Sequence, residues 1–390
     1  MAIEGKAGAA GRRIRLGMVG GGEGAFIGAT HRIAARLDDH FELVAGALSS
    51  DPARAKRSGA ALGLDPARSY GSFAEMAATE AKLADGAEAV AIVTPNHMHY
   101  PPAKAFLEAG IHVICDKPLT ATLEEAKALA DLARRSGRIF AVTYNYSGYP
   151  LARQARAMVA AGELGDIRVV QVEYPQDWLT ERLESTGHKQ ADWRTDPKRT
   201  GLGGSIGDIG THAFHLAGFV SGLELDSVLA ELTAFVPGRQ VDDNAHVLLR
   251  YKGGAKGMLW ACQVAPGNEN ALRLRIYGSK GGLAWSQEDP NYLWHTPLGE
   301  PPRRLARAGP GLAPAAARVT RIPPGHPEGY LEGFANIYAE VAAAIRATAD
   351  KKPVPPEVLF PSVEDGVKGV SFVDAVVRSS RAGGVWTAPR

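Results

Sequence analysis

A chain of 390 residues, 45% hydrophobic and 22% charged, reads as globular, with room for two domains that each have a core. Its formal charge of +2 excludes the marked basic excess of a nucleic-acid surface. Two cysteines, Cys115 and Cys262, exclude a disulfide framework. With no signal-peptide core in residues 1–13 and no apolar run of the ~20 residues that span a bilayer, a cytoplasmic protein without membrane contact is expected.

Residues 14–19 read as a strand running into GGGEGAFIGATHR. Gly20, Gly22 and Gly28 bring bare backbone against a phosphate, and a helix beginning near Gly28 turns its amides and dipole towards the anion. The loop is about three residues longer than the G-x-G-x-x-G fingerprint, and taken alone it also reads as a flexible turn. Strand 41–47, helix 52–62, a short helix 73–78 and strand 89–93 follow, and repeated βα units predict a parallel sheet with helices on both faces. Beyond the second strand, Ser49, Ser50 and Arg54 suit the 2′-phosphate of NADP, whereas Asp51 suits the ribose of NAD. The same residues equally read as a helix cap with solvated basic neighbours. The choice between NAD and NADP stays open.

The stretch 94–120 organises the chain. Thr94-Pro95 stops the strand, a helix spans 100–109 with Gly110 just past its end, and strand 112–115 delivers Asp116-Lys117-Pro118. Lys117 therefore lies beyond a strand's carboxyl end, where open α/β sheets bind ligands. Thr122 and Glu125 form a capping box for a helix to Ser136, strand 139–144 follows, and YNYSGYP marks a boundary. Domains of 12–147 and 148–390 are expected, with the final helices free to pack back on the first.

After helix 151–161 and strand 168–174, the segment TGLGGSIGDIGTHAFHLAGFVSG carries the second chemical cluster. On a helix starting near Ser205, Asp208 and His212 share a face, with His215 on the next turn. A carboxylate beside a histidine suits general acid/base work. A helix-start carboxylate with a core histidine is the plainer reading. D-x-x-x-H-x-x-H, with His97 and His99, also offers metal ligands, but no cysteine pair or further carboxylate accompanies it and no metal is expected. Runs at 227–236, 244–251, 255–263 and 271–277 alternate apolar and polar residues and predict an open antiparallel sheet whose polar-aromatic face is a subunit interface. Residues 301–321, rich in Pro, Ala and Arg, read as a long solvated loop, and helices at 329–347 and 363–378 close the chain.

TPNHMHYPPAKAFLEAGIHVICDKPL and WRTDPKRTGLGGSIGDIGTHAFHL together resemble the glucose-fructose oxidoreductase, inositol dehydrogenase and rhizopine catabolism family, Gfo/Idh/MocA, over almost the whole chain. The resemblance implies an α/β protein, a Rossmann domain followed by an α/β domain with an open, mainly antiparallel sheet. It also implies NAD or NADP as cofactor, oxidoreduction of sugars or cyclitols, and homodimers or homotetramers formed through the open sheet. By position, Lys117 matches the lysine that hydrogen-bonds the reacting oxygen, His212 the proton acceptor and Asp208 the substrate-binding acid. Gly20, Gly22, Gly28, Thr94, Pro95, Asn96, His99 and Asp116 match the cofactor side. Asp116 stands where glutamate is usual, and His215 where a further aspartate often follows. Tyr174, Gln176, Trp178, Trp193 and Arg194 are placed to meet a polyhydroxylated substrate, with Tyr144, Asn145 and His326 as further candidates. Two other readings share the fold: a cofactor-retaining glycosidase or lyase that oxidises its sugar transiently, and a non-catalytic dinucleotide sensor.

Overall fold

The computed structural model describes residues 11–390. Among them the chain divides into two compact units. The first holds the chain up to Thr120, Glu124–Gly148 and Tyr330–Val367; the second holds Ala121–Leu123, Tyr149–Gly329 and Lys368–Arg390. The division interleaves, because a late helix returns to the first unit.

The first unit runs β1 (Ile14–Gly20), α1 (Phe26–Leu37), β2 (Phe41–Ala47), α2 (Pro52–Ala61), α3 (Phe73–Glu80), β3 (Ala89–Val93), α4 (Tyr100–Glu108), β4 (His112–Cys115), α5 (Leu123–Ser136) and β5 (Phe140–Val142). The strands form a parallel sheet in the order β2-β1-β3-β4-β5. β3 and β4 are buried along their whole length, which is why both read as unbroken apolar runs. The helix starts carry their own signals. The Asp51 carboxylate accepts from the Arg54 amide ahead of Pro52, and the Ser72 hydroxyl accepts from the Glu75 amide. The order reverses between β1 and β3, so the loops leaving these two strands flank the switch point where such sheets bind nucleotides. Helix Tyr330–Ala349 packs on α1 and on the start of β2: Phe334 meets His31 at 5.0 Å and Tyr338 meets Phe41 edge-on at 5.4 Å. An aromatic pair of this kind contributes about 0.5–1.5 kcal/mol beyond its area.

In the second unit, α6 (Pro150–Ala160) precedes β6 (Ile167–Pro175), then α7 (Lys189–Arg194), α8 (Pro197–Thr200) and α9 (Thr211–Ser221). Seven further strands follow: β7 (Leu225–Thr233), β8 (Asn244–Tyr251), β9 (Lys256–Cys262), β10 (Arg273–Gly278), β11 (Gly281–Ser286), β12 (Tyr292–Pro297) and β13 (Arg303–Ala306). Among the described residues they form one eight-stranded sheet, β13-β12-β11-β10-β6-β9-β8-β7. It is antiparallel except for β6 and β9, which run parallel. A parallel pair needs a long crossover, and the helices and hairpin between Pro175 and Lys256 supply it.

The expected loop 301–321 is in fact organised: it contains β13 and the short helix Pro314–Ala317. Arg307, only 3% exposed, donates to the carbonyls of Ile322, Pro323 and His326, to Asn291, and to Glu328 at 2.7 Å. A buried guanidinium with this many acceptors pins the segment, and composition alone gave no sign of it. No helix among the described residues is long and apolar enough to cross a membrane.

Candidate functional site

The glycine loop fits a dinucleotide because side chains are excluded from it. Gly20 and Gly21 sit at φ +78° and +72°. A Cβ on Gly22 would come within 2.6 Å of the Leu48 carbonyl oxygen at the end of β2, and one on Gly28 would overlap the backbone of Gly21. Gly28 thus lets α1 lie directly on the loop leaving β1, the role of a third fingerprint glycine, despite the longer spacing. Arg32 donates to the Gly21 carbonyl at 2.7 Å and Ser58 accepts from the Glu23 amide at 3.0 Å, so the loop is held from both sides. Past β2, Ser49 accepts from the Asp51 amide and Asp51 caps α2; Ser50 and Arg54 are exposed. Hydrogen bonding to the Arg54 amide holds the Asp51 carboxyl below its ordinary range. Capping is therefore what the structure shows Asp51 doing.

The turn after β3 and the loop after β4 are tied together by His99. Its Nε2 lies 2.9 Å from the Thr94 carbonyl and its Nδ1 2.7 Å from the Pro118 carbonyl. Burial pushes its pKa down, Asp116 nearby opposing. His99 has no exposed surface and lies between the two loops. Thr94 closes its own turn by donating to the Met98 carbonyl, and Pro95 and Asn96 begin a single 3-10 turn. Asp116 accepts from the Lys117 amide at 2.9 Å and from the Thr143 hydroxyl at 2.8 Å, so its side chain ties the loop after β4 to the residue that follows β5. The Lys117 ammonium is borne at the end of β4 on a partly exposed residue.

In the second unit, Asp208 lies on a π-helical stretch, Ile206–Gly210, that leads into α9. This corrects the expectation of an ordinary helix from Ser205. π-bulges recur at functional sites, and here one resets the angle between Asp208 and His212. The stretch is capped by Asp242, which accepts from the amides of Gly204 (2.7 Å) and Ile206 (2.9 Å) and from the Ser205 hydroxyl (2.8 Å). Asp208 Oδ2 accepts from Arg194 Nε at 3.2 Å and from Gln263 Nε2 at 2.9 Å. The Arg194 guanidinium lies 4.2 Å over the Trp193 ring and 5.9 Å over that of Trp178. His212, itself 8% exposed, meets the ring of Tyr174 at 6.3 Å. Tyr174 and Gln176 both donate to Asn270 at 2.7 Å, and Trp178 donates to Gln176 at 3.1 Å.

One wall of polar and aromatic groups thus unites Asp208, His212, Tyr174, Gln176, Trp178, Trp193 and Arg194. His215 instead stacks on Phe219 at 6.0 Å, and the Arg156 guanidinium lies 4.8 Å over that Phe219 ring. His326 is exposed, while Tyr144 and Asn145 are buried in the first unit. Sequence reasoning missed Gln263, Asn270 and Asp242. For Asp242 the signal was an acidic pair ahead of a strand; for the two amides it was their position just outside strand ends. Among the described residues no three His, Cys, Asp or Glu side chains are grouped to hold a metal.

Comparison with known proteins agrees with this architecture. The model of the oxidoreductase family with an NAD-binding Rossmann fold matches residues 14–144, and that of the GFO/IDH/MocA C-terminal domain matches 152–284. The crystal structure of an oxidoreductase from Sinorhizobium meliloti is 60% identical with a TM-score of 0.89, over 96% of this chain and 99% of that one. An inositol dehydrogenase homologue from Azotobacter vinelandii, solved with NADH and myo-inositol, is 38% identical with a TM-score of 0.91, over 97% and 98% of the two chains. Levoglucosan dehydrogenase of Pseudarthrobacter phenanthrenivorans is 29% identical over 71% of this chain and 74% of its own length. With both of its domains matched and the glycine loop shaped for a dinucleotide, the chain belongs to the Gfo/Idh/MocA family and is an NAD-binding oxidoreductase of the dehydrogenase type.

Proposed function

We propose that the protein oxidises, or in reverse forms, one ring hydroxyl of a neutral sugar or cyclitol. The observation that carries this reading is the Asp208 carboxylate, anchored by Arg194 and Gln263 within a wall of Trp, Tyr and amide groups and one helical turn from His212. Carboxylate and amide groups pair with hydroxyls, and aromatic faces cover the apolar side of a sugar ring. The relatives solved with or named for myo-inositol and levoglucosan support that class. When bound, the nicotinamide supplies the hydride acceptor. Gly20, Gly21 and Gly22 would hold its pyrophosphate, and Thr94, Pro95 and Asn96 would line its nicotinamide side.

In this mechanism His212 takes the hydroxyl proton, Lys117 stabilises negative charge developing on the oxygen, and Asp208 holds a neighbouring hydroxyl. The cationic lysine and the imidazole divide the work: one stabilises charge, the other moves the proton. Reduction of NAD and of NADP, followed separately by nicotinamide absorbance against neutral hexoses, anhydrosugars, glycosides and inositols, tests the reading. Turnover of one ring polyol with one cofactor is expected. Retained cofactor with no net reduction would favour the self-regenerating glycosidase or lyase, and absence of any reduction or retained cofactor would remove the proposal. His212→Ala is expected to slow turnover by about 10²–10⁴-fold, as loss of an acid/base group does, and Lys117→Ala by about 10²–10³-fold, as loss of a charge-stabilising donor does, with dinucleotide affinity kept in both.

The proposal extends to assembly. Leu248, Met258, Tyr277 and Trp294 are each 44–47% exposed on the second unit's sheet, and a depression of about 520 Å³ lies between His246, Leu248, Met258, Trp260 and Arg275. Such an apolar patch suits a second copy of this chain in a homodimer or homotetramer. Light scattering of the parent and of Leu248→Glu tests it: a monomer for the parent would overturn it.

A further inference from the structure

Strand register sets two glutamines side by side. β6 and β9 are parallel neighbours with Pro175 opposite Cys262, so the next residues, Gln176 and Gln263, leave the sheet at one level. The backbone holds them there. The Gln176 amide donates to the Cys262 carbonyl at 2.7 Å, Gln263 to Asp243 at 2.8 Å, and Ala265 to Gln176 at 2.9 Å.

Both side chains then enter one hydrogen-bonded chain whose direction is determined. An amide group can be turned end for end, so its orientation must come from partners that admit only one role. The Trp178 indole can only donate, so Gln176 presents Oε1 to it and Nε2 to Asn270 Oδ1, 2.7 Å away. The Asp208 carboxylate can only accept, so Gln263 presents Nε2 to it; that same Nε2 lies 3.4 Å from Gln176 Oε1. With its oxygen taken by Gln176 and the Tyr174 hydroxyl, Asn270 turns Nδ2 to Gln287 Oε1 at 3.0 Å, and Gln287 Nε2 lies 3.4 Å from the Tyr149 hydroxyl. From Gln176 onward, every amide points its oxygen towards Gln263. Gln263 is 2% exposed, a place where a leucine would fill space more cheaply unless the amide is used.

We propose that Gln263 is a positioning residue for Asp208, its amide held in one orientation by the Gln176–Asn270–Gln287 relay so that the carboxylate receives a substrate hydroxyl in one geometry. The relay stands on its own distances; the substrate step rests on the reading of Asp208 given above. Around Gln263 and its relay the charged and titratable groups include Asp208, Arg194, Tyr174 with the His212 ring 6.3 Å away, Cys262, His188 with its ring 6.0 Å from that of Trp178, Asp243 (paired with Arg239 at 3.1 Å) and Glu288, which accepts from the Asn270 amide.

Gln263→Glu keeps shape and exchanges the donor for an acid. Protonated, the new group donates to Asp208 as the amide does. Ionised, it sets two carboxylates together and an oxygen against Gln176 Oε1, which disfavours the charge and raises the pKa of the pair above the usual carboxylate range. Two readouts follow across mildly acidic to mildly alkaline pH. The Trp178 indole ¹⁵N–¹H resonance, assigned by its loss in Trp178→Phe, is expected to show a titration step in Gln263→Glu that the parent lacks, with His188→Gln in both backgrounds removing any contribution of the ring 6.0 Å away. The variant's kcat/KM for the panel polyol is expected to match the parent's at the acidic end and to fall about tenfold or more below it as pH rises, through KM more than through kcat, as one pKa unit of opposition demands. Gln263→Met is expected to lose affinity without pH dependence. An indole that does not titrate in Gln263→Glu overturns the relay, and parent-like kinetics in Gln263→Met would show that Gln263 only fills space. Asp208→Asn separates the two claims: parent-like turnover there removes the Asp208 reading, while the indole titration still decides the relay.

Discussion

The imidazole of His99 lies 2.7 Å from the Pro118 carbonyl oxygen and, through its other nitrogen, 2.9 Å from that of Thr94, so one buried ring joins the turn after β3 to the loop that bears Lys117. Both partners are carbonyl oxygens that only accept, so the ring bonds both only when each nitrogen carries a proton, which burial opposes and Asp116 favours; deleting the ring strands at least one carbonyl. His99→Leu is therefore expected to lower stability by about 1–3 kcal/mol and to weaken NAD binding. The urea midpoint and a fluorescence titration with NADH check both. A variant as stable as the parent that binds NADH normally would show that the two loops hold their places without the ring.

Gly28 makes a separate prediction about the same cofactor. Because a Cβ there would overlap the Gly21 backbone, Gly28→Ala forces α1 away from the loop leaving β1. Overpacking of this kind costs about 1–3 kcal/mol, and the displaced loop should bind NAD more weakly than the parent. Gly218→Ala, where a Cβ has nothing within 4 Å, is the control for space alone. Equal dinucleotide affinity in Gly28→Ala and the parent would contradict this account.

What could be read from the chain follows from the range of each interaction. β3 announced itself because five consecutive buried residues are local information, and Asp116-Lys117-Pro118 because it directly follows such a strand. Asp208 and His212 were found as a pair, yet the π-turn between them was not. Nothing in IGDIG distinguishes a wider turn from an α-helix until Asp242 arrives from more than thirty residues downstream to cap it. Gln263 was invisible for the same reason. Its meaning depends on the register of β6 against β9, strands far apart in sequence that form the one parallel pair of the mainly antiparallel sheet described in the second unit. Arg307 likewise acts on carbonyls that composition shows only as a proline-rich stretch.

Two buried histidines predict acid sensitivity. Burial pushes the pKa of His31 and of His112 down to about 4 from an ordinary 6.5; for His112, Arg138 adds to the effect. Between those values the unfolded chain binds the protons and the folded one does not. Stability is therefore complete above pH 6.5 and declines as pH falls towards 4, by roughly 3 kcal/mol for each group. Urea midpoints across that window should fall steeply in the parent. His112→Gln, which can still accept from the Ile139 amide as Nδ1 does, should flatten the slope; an unchanged slope in that variant would assign the acid sensitivity elsewhere.

Asp242 carries the last prediction, because it fixes the segment from which both Asp208 and His212 project. Its carboxylate is buried, which pushes its pKa up against the pull of the Ile206 and Gly204 amides and the Ser205 hydroxyl. Asp242→Ala leaves two buried amides without an acceptor, at about 1–3 kcal/mol each, and frees the π-turn to relax towards an ordinary helix. Asp242→Asn keeps one acceptor but turns an NH₂ against a donor, so it should fall between Ala and the parent. If the turn sets the angle between Asp208 and His212, turnover must decline in the same order as the urea midpoint. Asp242→Ala that is destabilised yet turns over at the parent's rate would show that this angle does not matter to the chemistry.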